Sequence, residues 1–168
     1  GYGNSNNLLF ENNVINIGGK SSGIYAEQVN TSHSSWEIIR NEINAPNLGV
    51  NLEFYDVDDV LINDNLFGQS GSVSLVYSSE NSNVGEATIS NNEFKGNGNI
   101  GGVTPTIWIE SDFQSGDGNS KVNKVTIKEN KFYNWVNYAI RIGKGNPNYD
   151  DISNAVINYN GFYFGTGP

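Results

Sequence analysis

The chain of 168 residues contains no cysteine, no methionine, four prolines and a single histidine. Without cysteine it forms no disulfides and offers no thiolate, and His33 alone does not supply a zinc site built from several His or Cys ligands. With a single histidine in the chain, the serines form no nucleophile constellation, so the sequence indicates no serine nucleophile. We therefore expect no bound cofactor.

Basic residues and long apolar runs are also scarce. The chain carries 9 Lys plus Arg against 18 Asp plus Glu, and the net charge of −9 repels phosphate backbones and anionic membranes. No apolar run approaches the roughly 20 residues of a membrane-spanning helix. We expect neither nucleic acid as a partner nor insertion into a membrane.

The residues that are abundant favour strands. The chain contains 20 glycines and 29 asparagines together with many Val, Ile, Phe and Tyr residues, whereas the helix-favouring Leu, Ala, Lys and Arg are few. Its length suits one domain with a continuous core. The composition therefore predicts an all-β fold in a single domain over residues 1–168.

A hydrophobic-x-x-Asn-x-hydrophobic pattern recurs along the chain, and six matches define the predicted repeat. Its three marked positions are Leu9/Asn12/Val14, Ile38/Asn41/Ile43, Ile62/Asn65/Phe67, Ile89/Asn92/Phe94, Ile127/Asn130/Phe132 and Ile157/Asn160/Phe162. A short alternating strand follows each of the first five asparagines, at residues 24–26, 50–52, 73–75, 107–109 and 140–142. Each repeat, called a unit below, thus holds a strand, an asparagine turn, a short strand, a loop and a further strand.

Alternation within each strand predicts one buried face and one exposed face. A single unit cannot bury its apolar face, but units stacked about 4.8 Å apart form a continuous core. We therefore predict a parallel β-helix of about six rungs. Its asparagines accept left-handed backbone at the turn and hydrogen-bond from rung to rung as a ladder. An antiparallel sandwich with asparagine turns is the alternative.

The two ends of this predicted stack are open. The first rung begins almost at the first residue, and the sixth lacks its last strand. Bare strand edges and exposed core at such ends attract neighbours. We therefore interpret the chain as a fragment of a larger protein whose remaining parts pack on the open ends.

The six asparagine-centred units resemble the right-handed parallel β-helix repeat of the pectate-lyase-like superfamily over nearly the whole chain. That resemblance implies work on extracellular polysaccharides, by lyases, hydrolases, phage tailspikes or carbohydrate-binding surface proteins, and fold alone does not choose among them. A small, acidic, cysteine-free β-helix with aromatics is also similar in style to the tapirins, cellulose-binding surface adhesins of plant-degrading bacteria. Both resemblances imply a location outside the cell or on its surface.

An enzyme is the less favoured hypothesis. Polygalacturonase-like hydrolases of this fold need clustered acids with Gly-His-Gly and Arg-x-Lys motifs, and here both motifs are missing. The alternative catalytic set of a lyase or hydrolase fragment is Asp56, Asp58, Asp59 and Arg141. The competing interpretation of the three aspartates is a solvated turn.

Calcium is considered for one glycine-rich loop. The alternative ligands there are Asp112, Asp117 and Asn119, whose oxygens suit a hard cation. Because the loop lacks both the EF-hand pattern and a Gly-Gly-x-Gly-x-Asp repeat, no metal is the preferred prediction.

Aromatic and acidic residues on one outer face favour sugar binding. If the first residue of each later strand points inward, the outward positions are Tyr25, Asn51, Ser74, Trp108 and Arg141. Two residues further on, the same face carries Glu27, Glu53 and Glu110. Rings stack on the C–H faces of sugars while carboxylates bond to hydroxyls, so this face suits a neutral glycan.

A second aromatic set follows the asparagine turns and consists of Tyr133, Tyr163, Trp135 and Tyr138. For both sets the competing interpretation is packing against loops or missing parts of the protein. Trp36 is assigned to such packing, because its register places it inward with Val60, Ala87, Val125 and Ala155.

The leading hypothesis is therefore a non-catalytic, extracellular or cell-surface β-helix that binds a neutral and possibly insoluble polysaccharide such as cellulose. The alternatives are a fragment of a polysaccharide lyase or glycoside hydrolase and a segment of a phage tailspike or surface fibre.

Overall fold

The computed structural model describes residues 7–18, 23–27, 35–44, 52–55, 57, 59–68, 73–77, 83–95, 105–111, 121–135, 138–143, 151–152 and 154–163. These residues form strands and turns and contain no helix. Accordingly, this part of the chain offers no helical span suited to crossing a membrane.

The described residues form eighteen strands. In chain order they are β1 (Leu8–Glu11), β2 (Val14–Asn16), β3 (Ile24–Glu27), β4 (Ser35–Ile39), β5 (Glu42–Asn44), β6 (Leu52–Tyr55), β7 (Asp59–Asn63), β8 (Leu66–Gly68), β9 (Val73–Tyr77), β10 (Asn83–Ser90), β11 (Glu93–Phe94), β12 (Ile107–Ser111), β13 (Lys121–Lys128), β14 (Lys131–Tyr133), β15 (Ile140–Ile142), β16 (Asp151–Ile152), β17 (Ala155–Asn158) and β18 (Gly161–Tyr163).

Three sheets hold these strands. The first sheet has the order β1-β4-β7-β10-β13-β16, with β17 also pairing to β13; the second is β2-β5-β8-β11-β14-β18; the third is β3-β6-β9-β12-β15. Every described pairing is parallel and joins a strand to its counterpart in the next unit. The all-β class is thus confirmed, and the order of the strands is compatible with a parallel β-helix. The antiparallel alternative is wrong.

The core lies between the sheets and is filled by the inward row of each. In the second sheet Phe67, Phe94, Phe132 and Phe162 stack in sequence, with ring centroids 4.8, 5.0 and 5.2 Å apart and planes within 11° of parallel. The first sheet adds a row that ends in Ile127 and Ile157. Because β-branched and aromatic side chains pack well on a pleated surface, each unit buries its apolar face only against its neighbours.

Trp36 packs inward as predicted. It pairs in register with Val60, is partly buried against the core, and contacts Phe10 and Phe54 at 6.3 and 5.4 Å between ring centroids. Its Nε1 is buried without a hydrogen-bond partner among the described residues.

The turn between the first and second sheets carries one asparagine per unit, and these residues are called the asparagine column: Asn13, Asn41, Asn65, Asn92, Asn130 and Asn160. Within it, Nδ2 of Asn92 donates to Oδ1 of Asn130 at 3.0 Å and to the carbonyl of Ile62 at 2.9 Å, while its Oδ1 accepts from the backbone N–H and the Nδ2 of Asn65. The same bonds recur at Asn41, Asn65 and Asn130. Each of these side chains therefore links three consecutive units.

The left-handed backbone does not fall on the column itself. The residue immediately before each column asparagine has a positive φ between 54° and 58°, and the six are Asn12, Arg40, Asp64, Asn91, Glu129 and Tyr159. The prediction that one asparagine performs both tasks is wrong: the preceding residue bends the chain, and the asparagine supplies the hydrogen bonds.

Two registers also differ from the prediction. In the first unit Phe10 pairs with Ile38, and Asn13, not Asn12, hydrogen-bonds to Asn41. In the second unit Leu52, not residue 50, pairs with Ile24. A shift by one residue exchanges the two faces of a strand, whereas a shift by two keeps the face and changes only the neighbours.

Candidate functional site

One row of aligned positions crosses the third sheet and is called the third-sheet row. Its members, from one pairing to the next, are Tyr25, Glu53, Ser74, Trp108 and Arg141. Four of these five positions were assigned to a common outward row by the sequence. Because parallel strands lie about 4.8 Å apart, Tyr25 and Trp108 are separated by about 14 Å along the stack.

Tyr25 is the more exposed of the two aromatic residues in the row, with 54% of its surface accessible. It stands in the short strand β3, where the neighbouring Ile24 is buried against the core. This alternation aims the ring outward, as the period of a half-buried strand requires. Tyr25 therefore offers an accessible aromatic surface.

Trp108 is half-buried, and Arg141 from the neighbouring strand lies against it. The guanidinium carbon of Arg141 is 5.3 Å from the centroid of the Trp108 ring, a cation–π contact between two paired positions. The indole Nε1 is buried and has no hydrogen-bond partner among the described residues. Trp108 thus contributes apolar surface, and the guanidinium, whose five N–H groups suit sugar oxygens, supplies the polar chemistry beside it.

The acidic residues of this face are distributed differently from the prediction. Glu53 pairs with Tyr25 and Ser74 and so belongs to the third-sheet row itself, not to the row of Glu27. Glu27 and Glu110 do share another row of paired positions, in which the positions between them are Tyr55 and Val76. The third-sheet row consequently combines two aromatic with three polar residue types.

Tyr133 and Tyr163 occupy paired positions on the outer face of the second sheet, as expected. Their rings stack with centroids 4.8 Å apart and planes at 17°. Tyr133 is buried, whereas 46% of Tyr163 is exposed. The Tyr163 ring also covers its own strand, since a Cβ added to Gly161 would come within 2.8 Å of ring atoms. Only Tyr163 of this pair presents a ring to solvent.

The other two aromatic residues of the second set lie in different environments. Trp135 is partly buried against the core and meets Phe162 edge to face at 5.7 Å between centroids. Tyr138 is exposed and lies just before β15. Packing thus accounts for Trp135, while Tyr138 remains on the surface between the second and third sheets.

The structure brings together no alternative catalytic pair from the described residues. Asp59 lies in the first sheet, where its Oδ1 accepts a hydrogen bond from the backbone N–H of Glu86 at 2.8 Å. Arg141 lies in the third sheet beside Trp108. Asp56 and Asp58 fall outside the described residues.

The calcium prediction concerns Asp112, Asp117 and Asn119, which likewise lie outside the described residues. Within the described part of the chain, no group of three or more His, Cys, Asp or Glu side chains gathers as metal ligands would.

One contact of the site was not predicted from the sequence. Outward direction was assigned to Trp108 and Arg141 separately, but the stacking of guanidinium on indole was not predicted. The signal for it is their equal place in neighbouring units, because side chains at paired positions of parallel strands lie one strand spacing apart.

Comparison of the chain with protein-family models, with curated proteins and with solved structures gave no match.

Proposed function

We propose that the chain binds a neutral polysaccharide, such as cellulose, through the third-sheet row and does not cleave it. The single observation that carries this proposal is the alignment of exposed Tyr25 with Trp108 and Arg141 in one row of the third sheet. The rings accept the C–H faces of sugars, and the guanidinium of Arg141 beside Trp108 donates to hydroxyl oxygens. The proposal gives the chain an extracellular or cell-surface role.

The finer description of the fold belongs to the same proposal. We infer a right-handed parallel β-helix of about six rungs with an asparagine ladder, akin to the pectate-lyase-like superfamily and, more narrowly, to tapirins. The support is the parallel order of the strands and the bonding of the asparagine column. A straight, repeating face of this kind matches a straight, repeating polymer.

The spacing within the row defines the size of the ligand. A ligand that touches both Tyr25 and Trp108 spans about 14 Å, which exceeds one sugar ring. The chain should therefore bind long oligosaccharides better than monosaccharides. The net charge of −9 repels polyuronates and so supports a neutral glycan.

Retention on insoluble cellulose and on a panel of soluble neutral glycans tests the proposal. We expect the unaltered chain to be retained, and Tyr25→Ala and Trp108→Ala each to weaken binding by about tenfold, since interface aromatics commonly contribute this much. Tyr159→Ala is the matched control, because Tyr159 is an exposed tyrosine on a turn far from the third sheet. Its binding should remain unchanged.

Three results would contradict the proposal. They are absence of retention on every neutral glycan, equal losses for Tyr159→Ala and Tyr25→Ala, and release of reducing ends or unsaturated uronates from the polysaccharide panel. The last would favour the enzyme hypothesis instead.

A further inference from the structure

The last described unit exposes residues whose counterparts in the middle units are buried. Ile127 and Phe132 are fully buried, yet their counterparts Ile157 and Phe162 are 49% and 46% exposed. These two residues and Asn160 form what we call the carboxyl face of the stack. Strands β17 and β18 end their sheets, so each has one edge without a described partner strand.

The opposite end of the stack is formed by β1 and β2, and its inward residues are Phe10, Asn13 and Ile15; we call it the amino face. Phe10 and Ile15 are partly buried and pack on the core from one side. Both faces therefore combine apolar side chains with open strand edges, which are the features that recruit another strand layer.

The hydrogen bonds of the asparagine column give the two faces opposite character. In the column, each backbone N–H donates to the Oδ1 of the next asparagine toward the carboxyl end, and Nδ2 donates both to that Oδ1 and to a carbonyl of the preceding unit. Each Oδ1 therefore accepts from the amino side. Consequently Oδ1 of Asn13 receives no donor from the described residues, and the backbone N–H of Asn160 reaches no acceptor among them. An acceptor at the amino face and a donor at the carboxyl face complement each other.

Charge is also distributed unevenly between the two halves of the chain. Residues 1–84 carry ten acidic and two basic side chains, whereas residues 85–168 carry eight acidic and seven basic ones, so the net charges are −8 and −1. Lys124 and Lys128 lie in β13, one layer from the carboxyl face, and Glu37 and Glu42 lie one layer from the amino face. Contact between two amino faces is thus the most repulsive arrangement, and the complementary acceptor and donor of the asparagine column favour contact between unlike faces over contact between two carboxyl faces.

We propose that the carboxyl face binds the amino face of a second copy of this chain, so that copies associate head to tail. In that arrangement Asn13 of the added copy takes the place that the next asparagine of the column would hold, and its Oδ1 accepts from the backbone N–H of Asn160. Phe162 then covers Ile15 of the added copy. Two carboxyl faces placed together would instead oppose donor to donor. Because the contact is heterologous, it extends to short filaments unless the geometry closes.

Sedimentation velocity of the full chain from about 1 μM to about 1 mM tests this inference. We expect dimers and longer species to grow with concentration above the 18.3 kDa monomer. An exclusively monomeric chain over the whole range would overturn the proposal, as would a dimer that never grows further. An exclusively monomeric chain would mean that other residues of the same polypeptide cover the carboxyl face.

A matched pair of variants locates the contact. Ile157 and Val156 are neighbours in β17 with similar exposure. Ile157 continues the inward-facing row of the first sheet, whereas Val156 continues its outward-facing row. Ile157→Lys should weaken association at least about tenfold, because it buries an unpaired ammonium between the copies. Val156→Lys leaves that charge in solvent and should associate nearly as before. Equal effects of the two variants would contradict a contact through the carboxyl face.

Mixing variants blocked at opposite ends distinguishes head-to-tail contact from contact between like faces. Ile15→Lys alters the amino face and Ile157→Lys the carboxyl face, so each alone should remain monomeric. Their mixture retains one unaltered face of each kind and should form a one-to-one dimer that grows no further. Circular dichroism checks that both variants are folded. Failure of the folded mixture to dimerise would exclude the head-to-tail arrangement. Glycan binding through the third-sheet row does not depend on this result, so the two proposals are tested separately.

Discussion

Phe132 and Phe162 hold the same position in neighbouring units, yet their environments differ. Phe132 is stacked between Phe94 and Phe162 and is fully buried, while Phe162 stacks on Phe132 from one side, meets Trp135 edge to face and is 46% exposed. Asn92 and Asn13 differ in the same way, since Asn92 is buried between two asparagines and Asn13 is exposed. Identical residue types therefore lie in both the middle and the ends of the stack.

The difference shows that the fold derives its stability from contact between units and not from any one unit. A residue in the middle has a neighbour above and below, and a terminal residue has one of the two. The cost of truncating a side chain should therefore depend on its place in the stack more than on its identity. Each prediction below compares an interior position with its terminal counterpart.

Removal of a column asparagine should give the largest contrast. Asn92→Ala deletes an acceptor of two hydrogen bonds and a donor of two, and leaves the buried backbone N–H of Asn65 without its acceptor, while Nδ2 of Asn65 keeps its bonds to the carbonyls of Ile38 and Asn63. Since each unsatisfied buried group costs about 1–3 kcal/mol, we expect a loss of about 4 kcal/mol in the free energy of unfolding. Asn13→Ala, whose side chain is exposed, should lose about 1 kcal/mol or less.

Urea unfolding followed by circular dichroism measures both values. The measurement belongs at low protein concentration, where self-association does not protect the terminal units. Similar losses for the two variants would mean that the column does not stabilise the interior more than the end.

Truncation of the stacked phenylalanines should show a smaller contrast. Phe132→Ala opens a cavity in a filled row, and such substitutions cost about 3–5 kcal/mol. Phe162→Ala removes a half-exposed ring with one stacking neighbour, and we expect about 1–2 kcal/mol. Thermal unfolding of both variants gives the comparison, and a Phe162→Ala loss as large as that of Phe132→Ala would indicate that the carboxyl face is covered in solution.

The parallel, all-β arrangement was predictable because the asparagine pattern keeps step with a second strand in each unit. The errors arose where two registers satisfied the same pattern. Leu9/Asn12/Val14 and Phe10/Asn13/Ile15 both fit it, and only the hydrogen bonds of Asn13 with Asn41 distinguish them. Apolar spacing therefore detects a strand, but cross-strand bonding determines its register.

The outer face was less predictable than the core. A slip of two residues in β6 placed Glu53 at the position paired with Tyr25, so the composition of the row changed while the alternation of the strand was kept. The burial of Tyr133 and Trp135 depends on neighbours from adjacent units and from the end of the stack. Local alternation carries no information on such neighbours.

Glycine substitution of the left-handed residues before the asparagine column should give the smallest effect of the three comparisons. It is also the one change expected to raise the free energy of unfolding. Glu129 has φ 58° and only a long ion pair to Lys128 at 3.8 Å with both side chains exposed, a contact of little value. Glu129→Gly removes the steric cost of left-handed backbone, and we expect a net gain of about 1 kcal/mol. Glu129→Ala removes the same charge but keeps the Cβ, and should show no gain.

Tyr159→Gly makes the same change in the terminal unit, where partial opening precedes global unfolding, and should gain less than about half as much. Equal gains at Glu129 and Tyr159 in urea unfolding would show that the last unit unfolds together with the interior.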